Sequence, residues 1–167
     1  MTVATDGASL ESRLCSVVSK NNGEDPIGSA TPFGRCLAVE VSPPWATDVT
    51  RSSRFPTELL EALEDAREHG LDKFVALHPD PDYSRGGHTR VMHLSGGEGP
   101  FADYEKEEFV VPDGELVGLA TALFGGGNDP SHFERYRLDD GPWVRDLLVC
   151  THGRRDAACG KLGIRDL

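Results

Sequence analysis

The fold is decided by residues 36–77, which read CLAVEVSPPWATDVTRSSRFPTELLEALEDAREHGLDKFVAL. Apolar side chains alternate with other residues over 36–41, a period-two pattern that predicts a strand. A helix is predicted from Thr57, expected to cap it, to Gly70, where a left-handed residue can end it. Its apolar face consists of Leu59, Leu60, Leu63 and Ala66. The continuous apolar run 74–77 predicts a buried strand, so the stretch forms a strand–helix–strand unit.

The chain on either side adds further elements to this unit. A strand around Val91 is predicted to pair with residues 107–111 in a hairpin. Asp113 is expected to cap a second helix over 115–124. Upstream, apolar residues at helical spacing predict a helix over 9–20.

From residue 36 the predicted order is strand, helix, strand, strand, strand, helix, which is the arrangement of a thioredoxin-like domain. We therefore predict an α/β fold with a mixed sheet and flanking helices, and a first domain over 9–127. Residues 128–141 are predicted to be a linker, irregular or weakly extended. Residues 142–167 are predicted to hold the first strand and a cysteine-bearing loop of a second, truncated thioredoxin-like unit. They are too few to close a core of their own.

The charge of the chain excludes several classes of partner. Its 17 basic and 28 acidic residues give a net charge of −11, so we expect no binding to nucleic acid or to anionic membranes. No window reaches the roughly 18 apolar residues of a membrane span, and the start lacks a leader, so we expect a cytoplasmic protein. The acidic stretch 103–108 is expected to be solvated surface, with a docking face for a basic partner as the alternative.

Reactive side chains are densest in residues 149–160, which read VCTHGRRDAACG. Cys150 ends a predicted strand, and Cys159 follows after eight intervening residues. Arg154 and Arg155 lie between them, and nearby positive charge lowers the pKa of a thiol. The spacing fits neither a zinc knuckle nor a Cys-x-x-Cys dithiol. A looped-out metal or cluster site and two ordinary thiols both remain open.

The other cysteines and most histidines are expected to have no chemical role. Cys15 and Cys36 lie in a predicted helix and a predicted strand, so we expect them to pack in the core. Four histidines show no spacing typical of a metal site and are expected to be solvated or to lie in the hairpin: His78, His88, His93 and His132.

Residues 147–163, LLVCTHGRRDAACGKLG, closely resemble the signature of the sucrase/ferredoxin-like proteins, also called thioredoxin-like ferredoxins. Residues 15–45, CSVVSKNNGEDPIGSATPFGRCLAVEVSPPW, resemble the amino-terminal part of the same family. The resemblance implies that Cys150 and Cys159 ligate a 2Fe–2S cluster. It places the other two ligands on histidines farther along the chain. It places no ligand at His152, which we expect either to support a ligand through a hydrogen bond or to be structural.

The sequence ends at Leu167, ahead of any such histidine-rich segment. We therefore expect an amino-terminal fragment that carries the cysteine half of the site, with 142–167 as an incomplete ferredoxin-like domain. A 2Fe–2S cluster needs four protein ligands. Two cysteines leave two positions on iron to water or outside ligands, so we expect a cluster in the complete protein and an absent or labile one in this chain.

Three functions follow from these residues. The first is a ferredoxin-like electron carrier whose redox partner the sequence does not specify. The second is a non-catalytic structural fragment that binds zinc weakly through Cys150, Cys159 and His152. The third, a sugar hydrolase as the family name suggests, ranks last because no motif singles out the pair of carboxylates that glycoside cleavage needs.

Overall fold

A mixed sheet of four strands organises the part of the chain that can be described. In the computed structural model, the described residues are 20–23, 33–96, 103–125 and 129–139. The strands are β1 (Arg35–Glu40), β2 (Lys73–Leu77), β3 (His88–Gly96) and β4 (Tyr104–Pro112). Their order is β2-β1-β3-β4, with β1 parallel to β2 and β3 antiparallel to both of its neighbours. The predicted α/β class with a mixed sheet is confirmed.

Between residues 33 and 139, the described part of the chain has two α-helices and three short 3₁₀ helices beside the sheet. The α-helices are α1 (Thr57–Glu68) and α2 (Leu116–Leu123). The 3₁₀ helices are η1 (Val49–Arg51), η2 (Asp113–Glu115) and η3 (Pro130–Tyr136). Helix α1 connects the parallel pair, as the strand–helix–strand pattern predicts. Gly70 follows it with a φ of 94°, the left-handed conformation in which glycine has no Cβ penalty.

One face of the sheet forms a hydrophobic core with the two helices. The alternating residues Leu37, Val39 and Val41 join it from β1 and its end. Other members come from both hairpin strands and both helices: Val91, Phe109, Val111, Leu59, Leu63, Leu116 and Leu119. The apolar side chains on one face of the strands thus pack against the apolar stripe of α1, as both patterns predict.

The predicted helix caps are wrong at both α-helices. Thr57 is the first residue of α1, its N-cap is Pro56, and no side chain caps that end. Asp113 begins η2 rather than capping α2, and its Oδ1 accepts a hydrogen bond from the Thr89 hydroxyl at 2.9 Å. The carboxylate that the sequence pattern predicts as a helix cap is therefore bonded to a hydroxyl of β3 instead.

Residues 129–139 pack on the sheet. The Asp129 side chain accepts a hydrogen bond from the backbone N–H of Ser131 at the start of η3. Phe133 within η3 is 3 % exposed and belongs to the core, and Arg137 forms an isolated bridge with Phe109 of β4. The segment read from sequence as irregular or weakly extended is thus largely a 3₁₀ helix. The predicted domain boundary at 128–141 extends past these residues and stays a prediction.

Several predicted elements lie outside the described residues. Of the helix predicted over 9–20, only its end is described: Lys20 and Asn21 are helical, and Gly23 turns the chain with a φ of 68°. The predicted segment 142–167 is not among the described residues. Residues 31–145 form one compact unit. In the ranges that the structure describes, no helix has both the length and the apolar composition needed to cross a membrane.

Candidate functional site

The cysteines predicted to bind a cluster, Cys150 and Cys159, lie outside the described residues, as do Cys15 and His152. Among the residues that are described, no three or more histidine, cysteine, aspartate or glutamate side chains are grouped so as to hold a metal ion. The cluster site therefore stays a prediction. The described residues show two other polar clusters, one on each face of the sheet.

Cys36 is a buried thiol in β1. The residue is 1 % exposed, and its thiol is not part of a disulfide. Burial raises its pKa to about 11, and the positive charge of Lys73 opposes this rise only in part. The thiol is therefore protonated at neutral pH. The protonated form is a poor nucleophile and a poor metal ligand. The predicted core position of Cys36 is confirmed.

We expect native Cys36 to resist alkylation by iodoacetamide at neutral pH and to react once the chain is unfolded. Both burial and protonation suppress attack by the thiol. Peptide mass spectrometry of protein labelled for increasing times measures this, and Cys150 and Cys159, predicted to lie in a cationic loop, serve as internal comparisons. Equal labelling of Cys36 in native and unfolded protein would contradict the expectation.

The first polar cluster surrounds the carboxylate of Glu108 in β4, whose side chain is 1 % exposed. Arg90 contacts Oε1 through Nε and Nη2, and Lys106 Nζ lies 2.9 Å from Oε2. The guanidinium of Arg90 also lies over the ring of Tyr83, 4.8 Å from its centroid. The expectation that 103–108 is solvated surface is wrong at Glu108, because two cations compensate its burial.

The carboxylate of Glu40 extends this cluster to the end of β1. Its Oε1 accepts a hydrogen bond from the Ser84 hydroxyl at 2.7 Å, and its Oε2 accepts one from the backbone N–H of Arg90 at 3.2 Å. Ser84 Oγ in turn accepts a hydrogen bond from the backbone N–H of Asp80. These pairings tie the loop between β2 and β3 to β1. Since both carboxylates are paired within the chain, the arrangement connects the loop to the ends of the two central strands.

The second cluster centres on His93 of β3, which is 5 % exposed. Its Nδ1 lies 3.0 Å from Oε2 of Glu107, the residue directly opposite on β4. Its Nε2 lies 3.4 Å from Nε of Arg35, which donates a hydrogen bond to it. Burial lowers the pKa of His93, while the hydrogen bond to Glu107 acts in the opposite direction. Of the two alternatives predicted for His93, solvated or in the hairpin, the hairpin position is confirmed, and the side chain is buried there rather than solvated.

Arg35 connects this histidine to the ends of both α-helices. One guanidinium nitrogen donates to the carbonyl of His69, just after α1, and the other donates to the carbonyl of Leu123 at the end of α2. The guanidinium also lies over the ring of Phe124, 4.1 Å from its centroid. A cation at a helix carboxyl end is favoured by the helix dipole and by carbonyls that lack a helical partner.

Sequence reasoning missed both clusters, although part of the signal was present. Val91 and His93 are two residues apart, so they share a face of β3, and the apolar Val91 marks that face as the core. The same alternation places Lys106 and Glu108 together on β4. The links to Arg35 and Arg90 had no sequence signal, because they depend on which strands become neighbours.

Comparison of the chain with protein-family models, with curated proteins and with solved structures finds no match.

Proposed function

We propose that this protein is a ferredoxin-like electron carrier with a thioredoxin-like fold, in which Cys150 and Cys159 supply two ligands of a 2Fe–2S cluster. The observation that carries the proposal is the run 147–163, in which both cysteines stand in a motif that resembles the sucrase/ferredoxin-like signature. When bound, such a cluster accepts and releases single electrons at a potential tuned by ligand type, burial and hydrogen bonds to sulfur.

The sheet supports the thioredoxin-like part of the proposal. A parallel pair joined by a helix is followed by an antiparallel hairpin and a second helix. This element order is the one on which the sequence-based fold assignment rests. Order and strand direction together support it better than order alone, because connections between strands allow only a small number of arrangements.

The cysteine run has the charge that thiolate ligands need. Arg154 and Arg155 stand between Cys150 and Cys159 in an otherwise acidic chain. Local positive charge favours the thiolate, which is the form that binds iron. Cys36 has the opposite environment, since burial raises its pKa to about 11. The free thiol of Cys36 is typical of a reducing compartment, which supports a cytoplasmic location.

The proposal is tested by anaerobic reconstitution of the full chain with iron, sulfide and a small thiol that can fill the remaining positions on iron. We expect visible absorbance, with iron and acid-labile sulfide bound in equal amounts. Cys150→Ser and Cys159→Ser should each abolish both, because each removes a ligand. The absorbance spectrum and the iron and sulfide content are the measurements.

Cys36→Ala is the matched control, because it also removes one cysteine but takes a thiol from the core. It should retain the absorbance and the iron. A colourless, iron-free product from the wild-type chain would contradict the proposal, and so would equal losses in all three variants. One equivalent of zinc without iron in protein purified without added metal would favour the weak zinc-binding alternative.

A further inference from the structure

Arg35 and its partners form a clamp that joins three parts of the fold. We define the Arg35 clamp as Arg35, His93 and Glu107 together with the carbonyls of His69 and Leu123. Within it, one guanidinium holds the ends of both α-helices while its Nε donates to His93 Nε2. The clamp therefore depends on a lone pair of a titratable imidazole.

The partners of His93 assign its neutral tautomer. Nε2 accepts a hydrogen bond from Arg35, so the ring proton is on Nδ1, where it is donated to the carboxylate of Glu107. A second proton can bind only at Nε2. It would remove the acceptor of Arg35 and place an imidazolium against a guanidinium at the same position.

We propose that the Arg35 clamp is a pH-sensitive device: protonation of His93 disconnects Arg35 and loosens the carboxyl-terminal ends of α1 and α2. The imidazolium keeps its hydrogen bond to Glu107 and repels Arg35, so the side chain of Arg35 moves away from the two helix carbonyls. The sheet itself is retained, because its ladder hydrogen bonds do not involve these side chains.

The charged groups around His93 set the direction of the response. Among the described residues, Arg35 faces it from β1 and Glu107 faces it from β4. Arg137, after η3, lies 3.4 Å from the other oxygen of Glu107 and 3.5 Å from Glu134. The end of α2 contributes the uncharged ring of Phe124, with centroids 5.4 Å apart. Glu107 thus stabilises the imidazolium, while Arg35 and burial disfavour it.

Burial and Arg35 together outweigh Glu107, because the pKa of His93 is lowered and burial is the largest cause. A histidine whose pKa is lower in the folded state than in the unfolded state contributes its full stability above its unfolded pKa, near 6.5. That contribution is lost progressively as the pH falls below this value. The clamp is therefore closed at neutral pH and opens as the pH falls through the lowered pKa of His93 in the folded protein.

The test is amide hydrogen exchange at the two helix ends, corrected for the intrinsic effect of pH. The backbone N–H of Leu71 is bonded to Ala66 after α1, and that of Gly125 is bonded to Ala122 after α2, so these two amides are the reporters. Between neutral pH and a pH at which the imidazole resonances show His93 to be protonated, their protection should fall about tenfold, the equivalent of one hydrogen bond to a charged group. Protection of β1 and β3 amides should change little.

His93→Gln is the decisive variant, because glutamine can accept from Arg35 and donate to Glu107 but cannot be protonated in this range. It should retain protection at both reporters throughout the pH range. His88→Gln, on the same strand but partly exposed, is the matched control and should respond to pH as the wild type does. If His93→Gln shows the wild-type loss at low pH, the proposal is wrong.

The wild-type chain provides a second test that does not depend on any variant. The imidazole resonances of His93 should titrate with the same midpoint as the loss of protection at Leu71 and Gly125. A titration of His93 that leaves both reporters protected would overturn the proposal. This outcome is independent of cluster binding, because no group of the clamp belongs to the predicted cysteine site.

Discussion

Replacing Glu108 with glutamine should lower the free energy of unfolding by about 3 kcal/mol, because it leaves two cations against a neutral amide in a buried position. The Glu108 side chain is 1 % exposed, and those of Arg90 and Lys106 are 15 % and 16 % exposed. Solvent therefore screens the loss poorly. Urea denaturation followed by circular dichroism measures the change, since it reports the midpoint and the slope together.

Glu105→Gln is the matched control, because it neutralises an exposed glutamate on the same strand. We expect a change within about 0.5 kcal/mol, as for most surface substitutions. The double variant Glu108→Gln, Lys106→Gln should be less destabilised than the two single effects added together, because removing one cation relieves the imbalance that the first substitution creates. Strict additivity would show that Glu108 and Lys106 do not interact.

The Glu108 cluster also shows why sequence patterns located the strands but not their polar contacts. Alternation over the β4 region gives the strand and its two faces. It does not give the register, in which Met92 lies opposite Glu108 and Arg90 lies opposite Val110. Only that register brings Arg90 diagonally next to Glu108. Without it, the acidic residues of 103–108 have no visible partners and are interpreted as solvated surface.

Arg35 shows the same limit over longer distances. Its hydrogen bonds reach His93, 58 residues away, and the carbonyl of Leu123, 88 residues away. Neither separation is encoded in a local pattern. Local rules also failed at the helix starts, where Asp113 bonds to Thr89 instead of capping α2. The strands, α1 and the Gly70 turn were predictable because their signals lie within a few residues of chain.

Phe133→Ala should lower the free energy of unfolding by about 3–5 kcal/mol, the usual cost of truncating a buried aromatic residue. Phe133 lies in η3, a region that sequence patterns interpret as a linker, yet it is 3 % exposed and packs in the core. Thermal or urea unfolding measures the loss. Leu138→Ala is the control, since it also shortens an apolar side chain but at a position that is 40 % exposed.

The close approach of Phe133 to Gly118 of α2 allows a more specific test. A Cβ built on Gly118 of α2 would lie 3.3 Å from Cζ of Phe133, so glycine at this position leaves room for the ring. Gly118→Leu should therefore displace Phe133 and destabilise the protein by about 1–3 kcal/mol, the cost of overpacking. In the Phe133→Ala background the same leucine can occupy the vacated volume, and its cost should fall or change sign.

This coupling separates a packed segment from a passive linker. If residues 129–139 only connected two domains, Phe133→Ala would be nearly neutral and Gly118→Leu would have the same effect with or without Phe133. A strong coupling instead means that α2 and η3 are stabilised together, because the ring and the glycine occupy complementary positions. The first domain would then have to extend through η3, past the predicted boundary at 127, since removing η3 would expose the core surface that Phe133 covers.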